Sequence, residues 1–174
     1  MYFSRISQAE GAEAVLDAAS VMPDVRFHFY GPVDRSFEGD FVRRVGCQDN
    51  VTYHGVFDSR FGNPATEMNR YDVHLLPTSC ESEGVPGSIV ESKLAGIPTI
   101  TTRLRWIPGM VEDGVDGILI DDADACTLAC AIRRYDTDRR SLSAASAAAW
   151  ASASAYFVEN YIDGIIREIA EAVS

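Results

Sequence analysis

The chain has 174 residues, 47% of them apolar, enough for one compact domain around a single core. Its formal charge of −11 argues against a nucleic-acid partner, which needs clustered lysine and arginine to displace counterions from the phosphate backbone. No apolar run approaches the roughly 20 residues of a membrane span, and MYFSRISQ lacks the basic-then-apolar layout of a signal peptide, so a cytoplasmic protein is expected.

The predicted elements alternate. YF at 2–3, VRFHFY at 25–30, VTYHGV at 51–56, DVHLLP at 72–77, PTITT at 98–102 and GILI at 117–120 read as short strands. Between them AEAVLDAASVM (12–22) has helical spacing of its apolar residues, and FVRRV (41–45) and NPATEMNRY (63–71) read as shorter helices. Turns are marked by Tyr30-Gly31-Pro32, by Gly96-Ile97-Pro98 and by the paired Asp-Gly dipeptides at 113–114 and 116–117. DDADACTLACAIRRY begins with acids suited to a helix N-terminus and continues with an apolar face at Leu128, Ala131 and Ile132. The alanine-rich SLSAASAAAWASASA (141–155) is expected to be helical, anchored by Trp150. Phe157, Tyr161, Ile165, Ile166 and Ile169 make one stripe on a last predicted helix. Strand and helix alternating throughout imply an α/β fold, a Rossmann-like three-layer sandwich whose central parallel sheet has about six strands.

The four cysteines show no CxxC spacing, and Cys126 and Cys130 lie four apart in a helical pattern, an arrangement for packing; no metal site is expected. The chemistry concentrates in TSCESEGVPGSIVESKLAG, which leaves the strand DVHLLP at the end where ligands bind in open α/β sheets. Ser88-x-x-Glu91 before Leu94 has the pattern of a capping box, with the serine capping a helix start and Glu91 reaching back to the serine amide. The same helix end offers uncommitted backbone amides and the positive end of a dipole, a site for phosphate. A carboxylate tolerates that neighbour when it faces a neutral diol such as a ribose. Glu83, eight positions before Glu91, lies in the loop, where an acid is ordinarily a solvated surface group.

The run PTSCESEGVPGSIVESKLAGIPTITT resembles the signature of the GT-B glycosyltransferases of group 1 (family 4), in the layout P-x-x-x-E-x-E-G-x-P-x-x-x-x-E-x-x-x-x-G-x-P. SRISQAEG at 4–11, NVTYHGV at 50–56, YDVHLLP and IPGMVEDGVDGILI at 107–120 extend the resemblance over nearly the whole chain. It implies the donor-binding C-terminal half of a GT-B fold, residues 1–174 forming one nucleotide-sugar-binding domain. Residues 154–174 would form the helix that crosses to an N-terminal acceptor domain, in the same full-length chain or a separate subunit. The implied donor is a nucleotide-diphosphate sugar such as a UDP-sugar, with retention of anomeric configuration, no metal or other cofactor, and a place in polysaccharide biosynthesis. Peripheral membrane association of the full enzyme is compatible with this reading. The terminal stripe, without its partner domain, would be a surface for homodimerisation.

Carried over residue by residue, the resemblance makes Glu83 the contact to the donor sugar's hydroxyls and Glu91 the ligand of the ribose diol. Gly84, Val85 and Pro86 supply backbone close to the sugar and phosphates, Gly55 and Val56 hold the base, and Arg5 neutralises the diphosphate. Arg5 and Glu83 would then be the catalytic pair, one stabilising the leaving diphosphate, the other orienting the sugar. Two positions depart from the family pattern: Glu10 stands where a lysine is usual, and Gly109 where many relatives carry glutamate. The acid at position 10 supports an alternative, a truncated or degenerate module that binds nucleotide sugar without catalysis, or a partner subunit for an acceptor-binding chain.

Overall fold

Tyr2 and Phe3 point to opposite faces of one sheet, and that period of two repeats across every strand. The computed structural model describes residues 1–60, 62–80 and 84–157, together with positions 159, 160, 162, 166, 168 and 169. Its strands are β1 (Tyr2–Phe3), β2 (Phe27–Tyr30), β3 (Val51–Tyr53), β4 (His74–Leu76), β5 (Thr99–Thr102) and β6 (Gly117–Ile120). All pair in parallel, in the order β3-β2-β1-β4-β5-β6. The expected Rossmann-like sheet of six strands is therefore present, with its order reversing between β1 and β4.

Among the described residues, six α-helices lie between or after the strands: α1 (Ala12–Val21), α2 (Glu38–Val45), α3 (Pro64–Met68), α4 (Gly87–Leu94), α5 (Ala125–Thr137) and α6 (Arg139–Ser152). Tyr2, Phe27, Phe29, Leu75, Ile100, Ile118 and Ile120 face the larger core, built with Val15, Leu16 and Ala19 of α1 and Leu128, Ala131, Ile132 and Tyr135 of α5. The alternate residues of the same strands, Tyr30, Leu76 and Leu119 among them, face the other layer, where Met68 of α3 and Ile89 of α4 cover them. Strands buried on both faces explain why they read as continuous apolar runs.

Capping decides the helix starts. Asp124 accepts from the amides of Cys126 and Thr127, so the acids before α5 act as the sequence implies, and Asp138 caps α6 in the same way through the amides of Arg140 and Ser141. Two expectations need correction. Trp150 does not anchor α6: its ring is 59% exposed, and the helix packs through Leu142, Ala145 and Ala149 instead, because small side chains allow the closer approach. Cys126 and Cys130 are exposed, lying off the stripe that α5 buries. Of the terminal stripe, Phe157, Ile166 and Ile169 are exposed, whereas Tyr161, Ile165 and most of the expected crossing helix lie outside the described residues. Among the described residues, no helix is long and apolar enough to cross a membrane.

One buried polar group carries a pH prediction. His74 in β4 is fully buried, its Nδ1 lies 3.2 Å from the Thr99 hydroxyl, and its Nε2 has no partner. Burial, with the nearby N-terminal amine second, pushes its pKa down to about 3. A depressed value means that stability is complete above the unfolded-state value near 6.5 and is lost as pH falls toward 3. Between pH 7 and 5 the loss amounts to about 2 kcal/mol at roughly 1.4 kcal/mol per unit. Urea midpoints measured across that window should fall for the natural chain and fall less for His74→Asn; equal slopes would remove His74 as the cause.

Candidate functional site

Parallel strands deliver their following loops to one edge, and where the order reverses between β1 and β4 those loops diverge and leave a crevice. A cleft of about 390 Å³ opens there. Its walls are Phe3, Ser4 and Arg5 after β1, Tyr30, Gly31 and Pro32 after β2, Val56, Phe57 and Ser59 after β3, Pro64 of α3, and Pro86, Gly87, Ser88 and Glu91 at α4.

The β1 loop is held tightly enough to present its side chains. The Tyr2 hydroxyl donates to the Arg5 carbonyl at 2.6 Å, the Ile6 amide to the Pro32 carbonyl at 2.9 Å, and the Ser79 amide to the Ala9 carbonyl at 2.8 Å. Gly31 makes the close approach of the first two loops achievable. Its φ is 139°, and a Cβ there would stand 1.8 Å from the Ser4 carbonyl oxygen.

An aromatic wall closes one side. Phe3 lies 5.7 Å from Tyr30 and 5.8 Å from Phe57, centroid to centroid, and Tyr30 stacks on His54 at 4.4 Å with planes 7° apart. The Tyr30 hydroxyl donates to Glu67 at 2.6 Å and shares a 2.7 Å hydrogen bond with Tyr71. Burial and the Glu67 bond push the Tyr30 pKa far up, so the phenol stays protonated and its ring stays fixed. Sequence reasoning missed this wall, for its members come from three separate strand ends and Tyr30-Gly31-Pro32 read only as a turn.

The α4 end differs from the capping-box expectation. Pro86, at φ −65° and ψ 112°, occupies the cap position without a side-chain cap hydrogen bond, and Gly87 is the first helical residue. Ser88 therefore stands one turn position inside the helix, and Glu91 is too far along to reach back to a capping residue. The proline's fixed φ and extended ψ set the entry point two residues before the serine. Glu91 is half-buried against the cleft with no hydrogen-bond partner among the described residues, and burial alone pushes its carboxyl pKa up. An amide-rich helix end, with a carboxylate one turn along it, can accept an anion and a pair of hydroxyl groups side by side.

Charge on the rim is mixed. Arg5 is exposed at the cleft mouth and lies near Asp34, whose carboxyl is held low first by the Ser36 hydroxyl and amide and then by the guanidinium. Glu10 is partly exposed behind Ser4, its Oε2 accepting from the Ser4 hydroxyl at 3.3 Å. Lys93 turns away from the cleft and is buried with Asp116 and the Ser152 hydroxyl, so it brings no positive charge to the site.

The structure thus brings Arg5, Val56, Pro86 and Glu91 to one cleft. Gly55 adjoins it at φ 81°, its carbonyl accepting from the Gly31 amide at 2.9 Å. Gly84 and Val85 are exposed and do not line the cleft, and Glu83 lies outside the described residues. Among the described residues, no group of three or more His, Cys, Asp or Glu is placed to hold a metal ion.

Three comparisons bear on this geometry. The model of a family described as glycosyl transferases group 1 matches residues 1–138. A D-inositol 3-phosphate glycosyltransferase of Thermobifida fusca is 32% identical over 114 residues, covering 63% of this chain and 26% of that protein. A putative colanic acid biosynthesis glycosyltransferase, WcaL, of Salmonella typhimurium is 28% identical over 142 residues, 76% of this chain and 34% of its own length. Among solved structures, Anabaena Alr3699/HepE in complex with UDP superimposes with a TM-score of 0.85 at 22% identity, over 98% of this chain and 48% of that one. That likeness establishes the fold. The chain spans about a quarter to a third of these curated relatives and about half of the solved structure.

Proposed function

This chain belongs to the group 1 glycosyl transferases, and from that premise we propose that it is the donor-binding half of a retaining enzyme that moves a sugar from a nucleotide-diphosphate sugar to an acceptor. The observation that carries the reading is the pairing, in one cleft, of a helix start whose cap residue, Pro86, offers no side-chain cap and a half-buried Glu91 with no hydrogen-bond partner among the described residues. Structures with the same fold are titled as complexes with UDP and UDP-glucose, which makes uridine nucleotides the first ligands to try.

In this reading the base lies beside Val56 and Gly55 against the Phe3, Tyr30 and Phe57 wall, and the ribose hydroxyls donate to Glu91. The diphosphate meets the amides at Gly87 and Ser88 and the Arg5 guanidinium, a planar fork suited to phosphate oxygens. As the bond to the anomeric carbon breaks, negative charge gathers on the leaving diphosphate, and Arg5 with the helix amides stabilises it more in the transition state than in the bound donor. Glu83 orients the sugar through its hydroxyls, with Gly84, Val85 and Pro86 as the backbone beside it, and no resident metal takes part. The acceptor is held by an N-terminal domain, without which this half does not turn over. The acceptor in this reading is a glycan, a lipid or a small molecule, and relatives named for colanic acid and for D-inositol 3-phosphate support trying each kind.

Glu91 separates a ligand role from a structural one. Its raised pKa means that ionisation subtracts stability from the free protein, a contribution present at low pH and lost as pH rises through the raised value. Glu91→Gln should therefore melt no lower than the natural chain at pH 7, whereas a capping carboxylate would lower the melting temperature on removal. Calorimetric titration with UDP, GDP and their sugars should show a loss of about tenfold or more for Glu91→Ala, the scale of a hydrogen bond to a charged group. Nucleotide binding by no tested ligand, or an unchanged affinity in the variant, defeats the reading. Glu10 beside the phosphate end favours a second reading, a module that binds donor weakly and does not transfer it.

A further inference from the structure

We infer that Trp106 is a stacking platform for a pyranose ring of the sugar substrate, a specificity residue next to the donor cleft. This rests on the function proposed above and adds to it a residue that the family resemblance does not assign. The indole is 69% exposed, although its neighbours Leu104 and Ile107 both pack into a core cluster. It follows β5 at the same sheet edge as the cleft. The Thr102 hydroxyl at the end of β5 donates to the Thr78 carbonyl at the end of β4, so the loops leaving the two strands start side by side. The next residue, Ile107, packs with Leu76 and Ile89, the latter on the α4 turn whose Ser88 and Glu91 line the cleft.

The backbone before the indole is unusual. Arg105 has φ 45°, the one non-glycine residue among those described with positive φ. Left-handed backbone costs a side-chain-bearing residue conformational energy, and such strain collects where a neighbour must be aimed. The Gly109 amide donating to the Trp106 carbonyl at 3.0 Å fixes the turn that follows. A flat, negatively polarised indole face matches the apolar, partly positive C–H face of a pyranose, and its rigidity leaves little entropy to lose. The other tryptophan, Trp150, lies beside Gly96 at the start of the segment entering β5, the opposite edge of the sheet, and serves as the control.

The test uses Trp150→Phe, which leaves Trp106 as the single indole reporter, with three ligands: UDP, UDP-glucose and a neutral glucose oligosaccharide. Emission should change with UDP-glucose, identifying the donor's ring, or with the oligosaccharide, identifying an acceptor's, and not with UDP. Trp106→Ala should weaken the responding sugar about tenfold, the scale of a lost aromatic contact, leave UDP affinity unchanged, and be largely rescued by Trp106→Phe. Unchanged sugar affinity in Trp106→Ala, an equal loss for UDP, or no sugar response in any arm overturns the platform. If neither nucleotide binds the natural chain, the donor-cleft reading falls, and the oligosaccharide arm alone decides Trp106.

Discussion

Lys93→Ala is expected to lower the unfolding free energy by about 3–5 kcal/mol, the cost of leaving a buried charge without its partner. Lys93 and Asp116 are 2% and 6% exposed, and the ammonium also donates to the Ser152 hydroxyl at 2.7 Å. The second oxygen of Asp116 is occupied, accepting from the Glu112 amide at 2.8 Å. Three elements meet there: α4, the turn before β6 and the end of α6. Removing the lysine leaves a carboxylate that is 6% exposed without its ion-pair partner. With a urea slope of about 2 kcal/mol/M for a domain of this size, the midpoint should fall by roughly 2 M. The double change Lys93→Met with Asp116→Leu should recover most of the loss, because a packed apolar pair avoids the desolvation that the ion pair carries. A single variant whose midpoint stays within about 0.3 M of the natural chain would show that water reaches the pair.

Glu10→Lys should tighten binding of a nucleoside diphosphate, and Arg5→Ala should weaken it. Glu10 is hydrogen-bonded to Ser4, which lines the cleft, so its charge stands close to any phosphate bound at the start of α4. At about 8 Å and an effective dielectric near 40, each unit-charge interaction is worth about 1 kcal/mol. Reversing the sign changes the sum by about 2 kcal/mol, roughly 30-fold in affinity. Loss of the Arg5 guanidinium should cost a similar factor through its charge-assisted hydrogen bonds. Both effects should shrink as salt is raised from about 0.05 to 0.5 M, since the groups are at least partly exposed. Calorimetry with UDP at two salt concentrations measures both. If Glu10→Lys leaves affinity unchanged, Glu10 turns away from the phosphate and no longer supports a weak-binding module.

The alternation of strand and helix was plain in the sequence because both sheet faces are buried, so β-branched and aromatic runs mark every strand. GILI and PTITT coincide with β6 and β5 within a residue. Local chemistry was legible where it is truly local, as at Asp124, whose side chain reaches amides two and three residues on. It misled at Ser88-x-x-Glu91, because a capping box depends on where the helix begins, and Pro86 moved that start. Trp150 misled for a related reason: size alone does not say which face of an alanine-rich helix lies inward.

By itself, the sequence determined the α/β class, the parallel sheet and the family. Those follow from periodicity, turn chemistry and short motifs, all carried by neighbours along the chain. Only the tertiary structure decided that Phe3, Tyr30 and Phe57 form one wall, that Glu91 stands half-buried with no hydrogen-bond partner among the described residues, and that Lys93 spends its charge on Asp116 rather than on the cleft. Each of these depends on contacts between residues tens of positions apart, and on burial, which sets what a charge or ring is worth and which no local pattern encodes.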